Sequence, residues 1–160
     1  MSALTNDLKK LTAAAEKRAA AEGGFRQKFH LMPPTGWLND PNGLCQSDGV
    51  FHAFFQYSPF DPEGGAKLWG HYTSRNMIDW EYKGVPLYPD QPFDCSGVYS
   101  GCAYLEDGQM YLYYTGNVKL EDRDDYDYVN TGREANTVLV TSPDGKQFSR
   151  KRLLMRNSDY

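Results

Sequence analysis

Two Asp-Gly pairs, Asp48-Gly49 and Asp107-Gly108, each stand directly before an apolar, aromatic run: VFHAFFQY (Val50 to Tyr57) and QMYLYYTG (Gln109 to Gly116). Asp-Gly suits the two-residue turn of a β-hairpin, whose central positions both need positive φ. The second copy follows the first by 59 residues. A weaker echo follows: Thr73-Ser74 then Trp80 matches Thr141-Ser142 then Phe148, an offset of 68. Each copy runs on into a basic, apolar segment, Lys83 to Leu87 and Lys151 to Met155. A unit of about 60 residues with roughly four short strands, repeated twice, points to an all-β fold made of β-propeller blades. Two blades cannot close a ring, so the chain is expected to be the first part of a longer propeller.

Residues 1–24 read as a separate piece. Leu4, Leu8, Leu11 and Ala15 recur at helical spacing, Ser2 or Thr5 can cap the start, and Gly23-Gly24 stops the helix. This predicts an N-terminal helix over 1–24 docked on the outside of a β body over 25–160. A polar segment, Glu121 to Glu134 (EDRDDYDYVNTGRE), reads as a long loop at a blade edge between the repeats.

Composition narrows the function classes. Tyrosine at 12 residues, beside 8 Phe and 3 Trp, suits half-buried strands and sugar-stacking surfaces. With 17 basic and 21 acidic residues and no basic stripe, nucleic acid is not an expected partner. No apolar run is long enough to cross a bilayer, and the charged start MSALTNDLKK lacks a signal peptide's apolar core, so a cytoplasmic location is expected. Cys45, Cys95 and Cys102 are odd in number and lack metal-ligand spacing; they read as reduced thiols, and no metal or cofactor is expected.

The chemistry concentrates in Phe29 to Gly43, FHLMPPTGWLNDPNG. Asp-Pro-Asn-Gly has turn composition. Asp40 either opens that turn or, mounted on it at a pocket rim, serves as nucleophile or charge stabiliser; the two readings are compatible. An ionised Asp40 needs donors, and the turn amides and the Asn39 side chain are the expected ones. Gln56 ends the first aromatic run, where an amide could hold a sugar hydroxyl or simply be exposed. Trp69 is either core packing or a face for a sugar ring. His30, His52 and His71 read as structural.

Together with FFQYSP (54–59), LWGHYTSRNMIDW (68–80), VYSGCA (98–103) and YYTGNVK (113–119), the first stretch resembles, in order and spacing, glycoside hydrolase family 32: invertases, sucrose-6-phosphate hydrolases and fructanases. The likeness spans about Phe29 to Leu154. It implies a five-bladed propeller, usually followed by a β-sandwich, and retaining hydrolysis of a β-fructofuranosyl bond in a small sugar. On that resemblance Asp40 matches the nucleophile, with Trp37, Leu38 and Asn39 beside it in the substrate-contact segment. Gln56 matches a fructosyl-binding glutamine and Trp69 an aromatic pocket wall. Tyr99 and Ser100 stand where the family commonly has Phe-Ser. Ser58 for Asn and Cys102 for the second Ser are departures. The family's Arg-Asp-Pro and Glu-Cys motifs are missing from the sequence, and Arg123-Asp124 is no substitute, being followed by Asp125 and lying too early. The 160 residues alone are therefore expected to be inactive. The alternatives are a related glycosidase of fructans or arabinans and a non-catalytic carbohydrate-binding propeller.

Overall fold

The computed structural model describes residues 2–159. Helix α1 (Ala3–Glu22) precedes eight strands: β1 (Trp37–Ser47), β2 (Val50–Ser58), β3 (Leu68–Ser74), β4 (Trp80–Leu87), β5 (Gly97–Glu106), β6 (Gln109–Lys119), β7 (Arg133–Ser142) and β8 (Arg152–Met155). They form two antiparallel four-stranded sheets, β1-β2-β3-β4 and β5-β6-β7-β8, the two units of the sequence repeat. Both Asp-Gly pairs are tight hairpin turns. Asp48 and Gly49 have φ of 50° and 72°, Asp107 and Gly108 49° and 73°. Ser47 faces Val50 and Glu106 faces Gln109 directly across them.

Alternation along the strands splits the side chains into two layers. Phe54 and Trp69 of the first sheet meet Val98, Leu112, Tyr114, Val138 and Val140 of the second in one buried cluster. Trp69 is fully buried there, with its ring 5.8 Å from Phe54 and 6.0 Å from Tyr114. On the far face of the first sheet, Ala53, Phe55, Tyr57 and Tyr72 form a second cluster. Helix α1 and the segment after it reach this face: Tyr57 and Tyr82 both donate to Glu16 Oε1 (3.1 and 2.7 Å), and Tyr72 donates to the Met32 carbonyl (2.6 Å).

The helix is where the sequence predicts, capped by Ser2 Oγ accepting from Thr5 N and ended at Gly23 with φ of 70°. Its docked face is rotated from the expected one and keeps Ala15, with Leu8 half-buried. Thr5, Thr12 and Ala15 are buried, whereas Leu4 and Leu11 are 50% and 57% exposed. Polar anchors set the rotation: Thr5 Oγ1 donates to Asp90 (2.6 Å) and Glu16 receives its two tyrosines, which turns Leu4 and Leu11 outward.

Asp40-Pro41-Asn42-Gly43 is not a turn between elements. It lies inside β1, where the ladder shifts register between Leu38 and Pro41 and again between Asn42 and Cys45. An edge strand with bulges tolerates the proline, which has no amide to donate. The polar loop is likewise displaced: it occupies 120–132 within the second sheet, joining β6 to β7, and Arg133 and Glu134 already belong to β7.

A buried charge cluster ties these parts together. Lys151 Nζ donates to Asp90 Oδ1 (2.7 Å), to Asp94 Oδ2 (2.6 Å) and to the Tyr88 carbonyl, and Tyr114 donates to Asp94 (2.7 Å). Burial opposes ionisation of Asp90, but bonds from Lys151 and Thr5 outweigh it and its pKa lies below the ordinary value. No helix among the described residues is long and apolar enough to cross a membrane.

Trp69→Ala is expected to cost about 3–5 kcal/mol, read from denaturant unfolding, because it opens a cavity between the sheets. A second expectation concerns pH. His52 and His71 are buried and stacked, with Nδ1 and Nε2 3.0 Å apart. Burial, then the charges of His52 and Lys83, push the His71 pKa from 6.5 down to about 3. The unfolded chain takes up a proton that the fold refuses. The stability this group contributes is therefore whole above pH 6.5 and lost toward pH 3, by at most about 1.4 kcal/mol per pH unit. His71→Gln should flatten the unfolding midpoint between pH 6.5 and 4.5 relative to the wild type.

Candidate active site

The register shift in β1 has a simple geometry: Leu38 pairs with Tyr57 and Pro41 with Phe55, so Asn39 and Asp40 together face Gln56 alone. This is a β-bulge, a device that re-aims side chains. β5 repeats it. Val98 pairs with Gly116 and Gly101 with Tyr114, so Tyr99 and Ser100 together face Thr115. β1 and β5 are the first strands of their sheets and lie beside each other, which brings the two bulges together.

A directed hydrogen-bond chain results. Asn39 Nδ2 donates to Gln56 Oε1 (3.1 Å), Gln56 Nε2 donates to Ser100 Oγ (3.0 Å), and Ser100 Oγ donates to Asp40 Oδ2 (2.6 Å). Each link fixes the next. Gln56 uses its carbonyl oxygen for Asn39 and so presents its amide to Ser100; Ser100 then has its proton for the carboxylate. The short last distance is that of a hydroxyl bonded to an anion. Asp40 is exposed, while Gln56 is only 3% exposed, so the carboxylate end of the chain opens outward from a buried support.

Three cross-links hold the β5 bulge against the first sheet. Trp69 Nε1 donates to the Tyr99 carbonyl (3.0 Å), Gly101 N to Asn42 Oδ1 (3.1 Å), and Val98 N to the Lys67 carbonyl (2.8 Å). Asn42 also donates to the Asp40 carbonyl (3.1 Å), so it fixes both bulges.

The structure thus gathers Asp40, Asn39, Gln56 and Ser100 into one network. Trp37 and Tyr99 border it, the Lys67 ammonium lying 5.2 Å from one ring centre and 5.4 Å from the other. Two expected residues play other parts. Trp69, with no exposed face, is not a pocket wall; it belongs to the inter-sheet core and supports Tyr99 from behind. Leu38 packs on the far-face cluster with Tyr57 and Tyr72. The donor to Asp40 is Ser100 rather than Asn39, because the bulge turns the Asn39 amide toward Gln56. Asn42, Lys67 and Tyr128, whose hydroxyl lies 2.7 Å from that of Tyr99, were not expected here. Only Asn42 carried a sequence signal, its place in the Asp-Pro-Asn-Gly string.

Among the described residues no group of three His, Cys, Asp or Glu is placed to hold a metal ion. A cleft of about 850 Å³ lies elsewhere, between α1, β4 and the residues before β8, and Asp40 does not line it.

Two packed antiparallel sheets with a carboxylate network where their first strands meet define an all-β domain with a polar site at the sheet junction. The chain belongs to glycosyl hydrolases family 32: the sequence model of that family's N-terminal domain matches residues 30–157. It is 44% identical to the sucrose-6-phosphate hydrolase of Bacillus subtilis (strain 168) over 131 residues, 82% of this chain and 26% of the relative. It is 42% identical to the raffinose invertase of Escherichia coli over 140 residues, 87% of this chain and 29% of the relative. Among solved structures, the beta-fructofuranosidase BmSUC1 of Bombyx mori superposes with a TM-score of 0.76 at 33% identity, covering 92% of this chain and 30% of that one. The sucrose-6-phosphate hydrolase of Lactobacillus gasseri gives 0.73 at 31% identity, over 88% of this chain and 27% of that one. The chain spans between a quarter and a third of the length of these two curated relatives.

Gln56→Met is expected to strand the Asn39 amide and leave Ser100 without its donor, costing about 1–3 kcal/mol of stability for a buried polar partner left unmatched. Denaturant unfolding of the variant beside the wild type measures it.

Proposed function

We propose that residues 25–160 form the first two blades of a five-bladed β-propeller, preceded by a helical segment over 1–24. The whole protein is then a retaining β-fructofuranosidase of sucrose or sucrose 6-phosphate. The observation that carries this reading is the exposed Asp40 carboxylate accepting a 2.6 Å bond from Ser100 in a network rooted on Gln56. Relatives named as sucrose-6-phosphate hydrolases and an invertase support the substrate class, and a variant of the silkworm enzyme has been solved in complex with sucrose. The unpaired Cys45, Cys95 and Cys102 suit a reducing, cytoplasmic setting.

In this reading Ser100 holds Oδ2 and leaves Oδ1 of Asp40 to attack C2 of the fructosyl unit. The C2–O bond to the leaving sugar breaks as the new ester bond forms. A second carboxyl group, about 5–5.5 Å from the Asp40 carboxylate, protonates the departing oxygen, then deprotonates the water that releases fructose with retention. This reading assigns that second group to the part of the relatives' length that this chain does not span. The turn of Asp40 out of the strand is what gives it a line of attack. Asn39 and Gln56 offer their remaining amide capacity to sugar hydroxyls, and Trp37 and Tyr99 offer ring faces to the apolar side of the sugar.

Asp40→Asn in the gene product is expected to lower reducing-sugar release from sucrose by about four orders of magnitude or more, with unfolding unchanged. A slow fluorinated ketoside should label the peptide that contains Asp40. Label on another peptide removes Asp40 from the nucleophile's role, and a wild type that binds sucrose without cleaving it is a carbohydrate-binding propeller instead.

A further inference from the structure

Beside the Asp40 network, set among the rings of Trp37, Tyr99 and Tyr128, lie cations and hydroxyls that the fructosyl reading leaves unused. Lys67 sits between the Trp37 and Tyr99 rings, 5.2 and 5.4 Å from their centres. The Tyr99 and Tyr128 hydroxyls are 2.7 Å apart. On the other side of that pair the Arg133 guanidinium lies 5.0 Å from the Tyr128 ring centre, and its charge reaches Tyr99. Lys119 lies 6.0 Å from the same ring, but it is ion-paired with Glu121 at 3.6 Å.

Lys67 and Arg133 have no carboxylate partner among the described residues. Lys67 has only a 3.4 Å bond to the Gly65 carbonyl. Both are partly buried and held by ring faces, a weak counterpart for a cation compared with an anion's oxygens. Asn117 adds an independent sign. It is 1% exposed, and both of its side-chain amide atoms lack a partner. It stands opposite Gly97 on β5 and Ala135 on β7, on the sheet face that also carries Lys119 and Arg133. A buried amide with neither its donor nor its acceptor matched is rare without a ligand or water to meet it.

We propose that Lys67 and Arg133, on either side of the Tyr99–Tyr128 hydroxyl pair, are specificity-determining residues that receive a phosphate ester carried by the sugar substrate. This rests on the reading of the neighbouring Asp40 network as a sugar site. The arrangement supplies what a phosphate dianion needs: two cations from different segments, Lys67 just before β3 and Arg133 at the start of β7, one of them a planar guanidinium, with a free hydroxyl proton of the tyrosine pair between them. It also gives a role to the hydroxyl of Tyr99, which a phenylalanine at that position would lack.

Isothermal titration with sucrose, sucrose 6-phosphate and inorganic phosphate tests this in the wild type, Lys67→Met, Arg133→Met and Lys67→Arg. The wild type is expected to prefer the phosphorylated sugar. Each Met variant should lower the ratio of the two sugar affinities by roughly 10- to 100-fold, the scale of one lost hydrogen bond to a charged group. Lys67→Arg should keep most of it. A ratio unchanged in both Met variants overturns the proposal. So does inorganic phosphate binding as tightly as sucrose 6-phosphate, which marks a free-anion site. Hydrolysis is scored separately. If the ratio falls as expected but the wild type cleaves neither sugar, the anion site stands and the fructosidase reading fails. If both sugars are cleaved with an unchanged ratio, the reverse holds.

Discussion

The indole of Trp69 does two things at once. Its ring fills the space between the sheets, against Phe54 and Tyr114, and its N–H holds the carbonyl of Tyr99. The first is non-directional burial and the second is a directional bond, and together they fix both the distance between the sheets and the slide of β5 along β1. The Asp40–Ser100 bond depends on that slide. Its donor and acceptor lie 60 residues apart on strands of different sheets, and no backbone ladder joins those strands. Side-chain bonds, with the backbone bond from Val98 N to the Lys67 carbonyl, set their register. Gly43 shows how little slack there is: a Cβ there would come within 3.0 Å of Phe54 and 3.3 Å of Trp69.

The repeat has a chemical consequence. The two sheets share a hairpin turn and a bulge at matching places, so Asn39-Asp40 in the first corresponds to Tyr99-Ser100 in the second. One scaffold position carries a carboxylate in one copy and a hydroxyl in the other. Because the copies pack with their first strands side by side, equivalent positions meet, and an acceptor meets a donor. A repeat of identical residues would have set two carboxylates or two hydroxyls against each other. The departure from the repeat is therefore where the Asp40–Ser100 bond, and with it the candidate site, lies.

What could be read from the sequence was what local backbone chemistry decides. Asp48-Gly49 and Asp107-Gly108 demand positive φ whatever surrounds them, so the hairpins, the two-unit repeat and the all-β class were legible. Asp40 and Ser100 were each legible as candidate site residues through family resemblance, but their bond was not, since nothing local relates positions so distant. Asp-Pro-Asn-Gly has turn composition, and only the pairing of β1 with β2 makes it a bulge. Trp69 carries no mark of which way its ring faces. The leucines of α1 predicted a docked face by periodicity. Glu16 and Thr5, bonded to tyrosines and an aspartate far along the chain, rotated that face, so that Ala15 stays buried while Leu4 and Leu11 turn outward.

β1 is an edge strand, and an unguarded edge invites pairing with any other strand. Two bulges interrupt its ladder, and Pro41 lacks an amide to offer, so β1 and β5 touch through side chains instead of merging into one sheet. Had they merged, Asp40 would stand in the regular alternation of a continuous sheet, directed into one of its two packed faces. The irregularity that stops the sheet is thus what leaves a carboxylate at its rim. The same bulges commit Asn42 to crossing the gap, because its amide holds Asp40 on one side and Gly101 on the other. Protection of the edge and presentation of the Asp40 carboxylate are a single structural solution, and any change that straightens β1 should forfeit both.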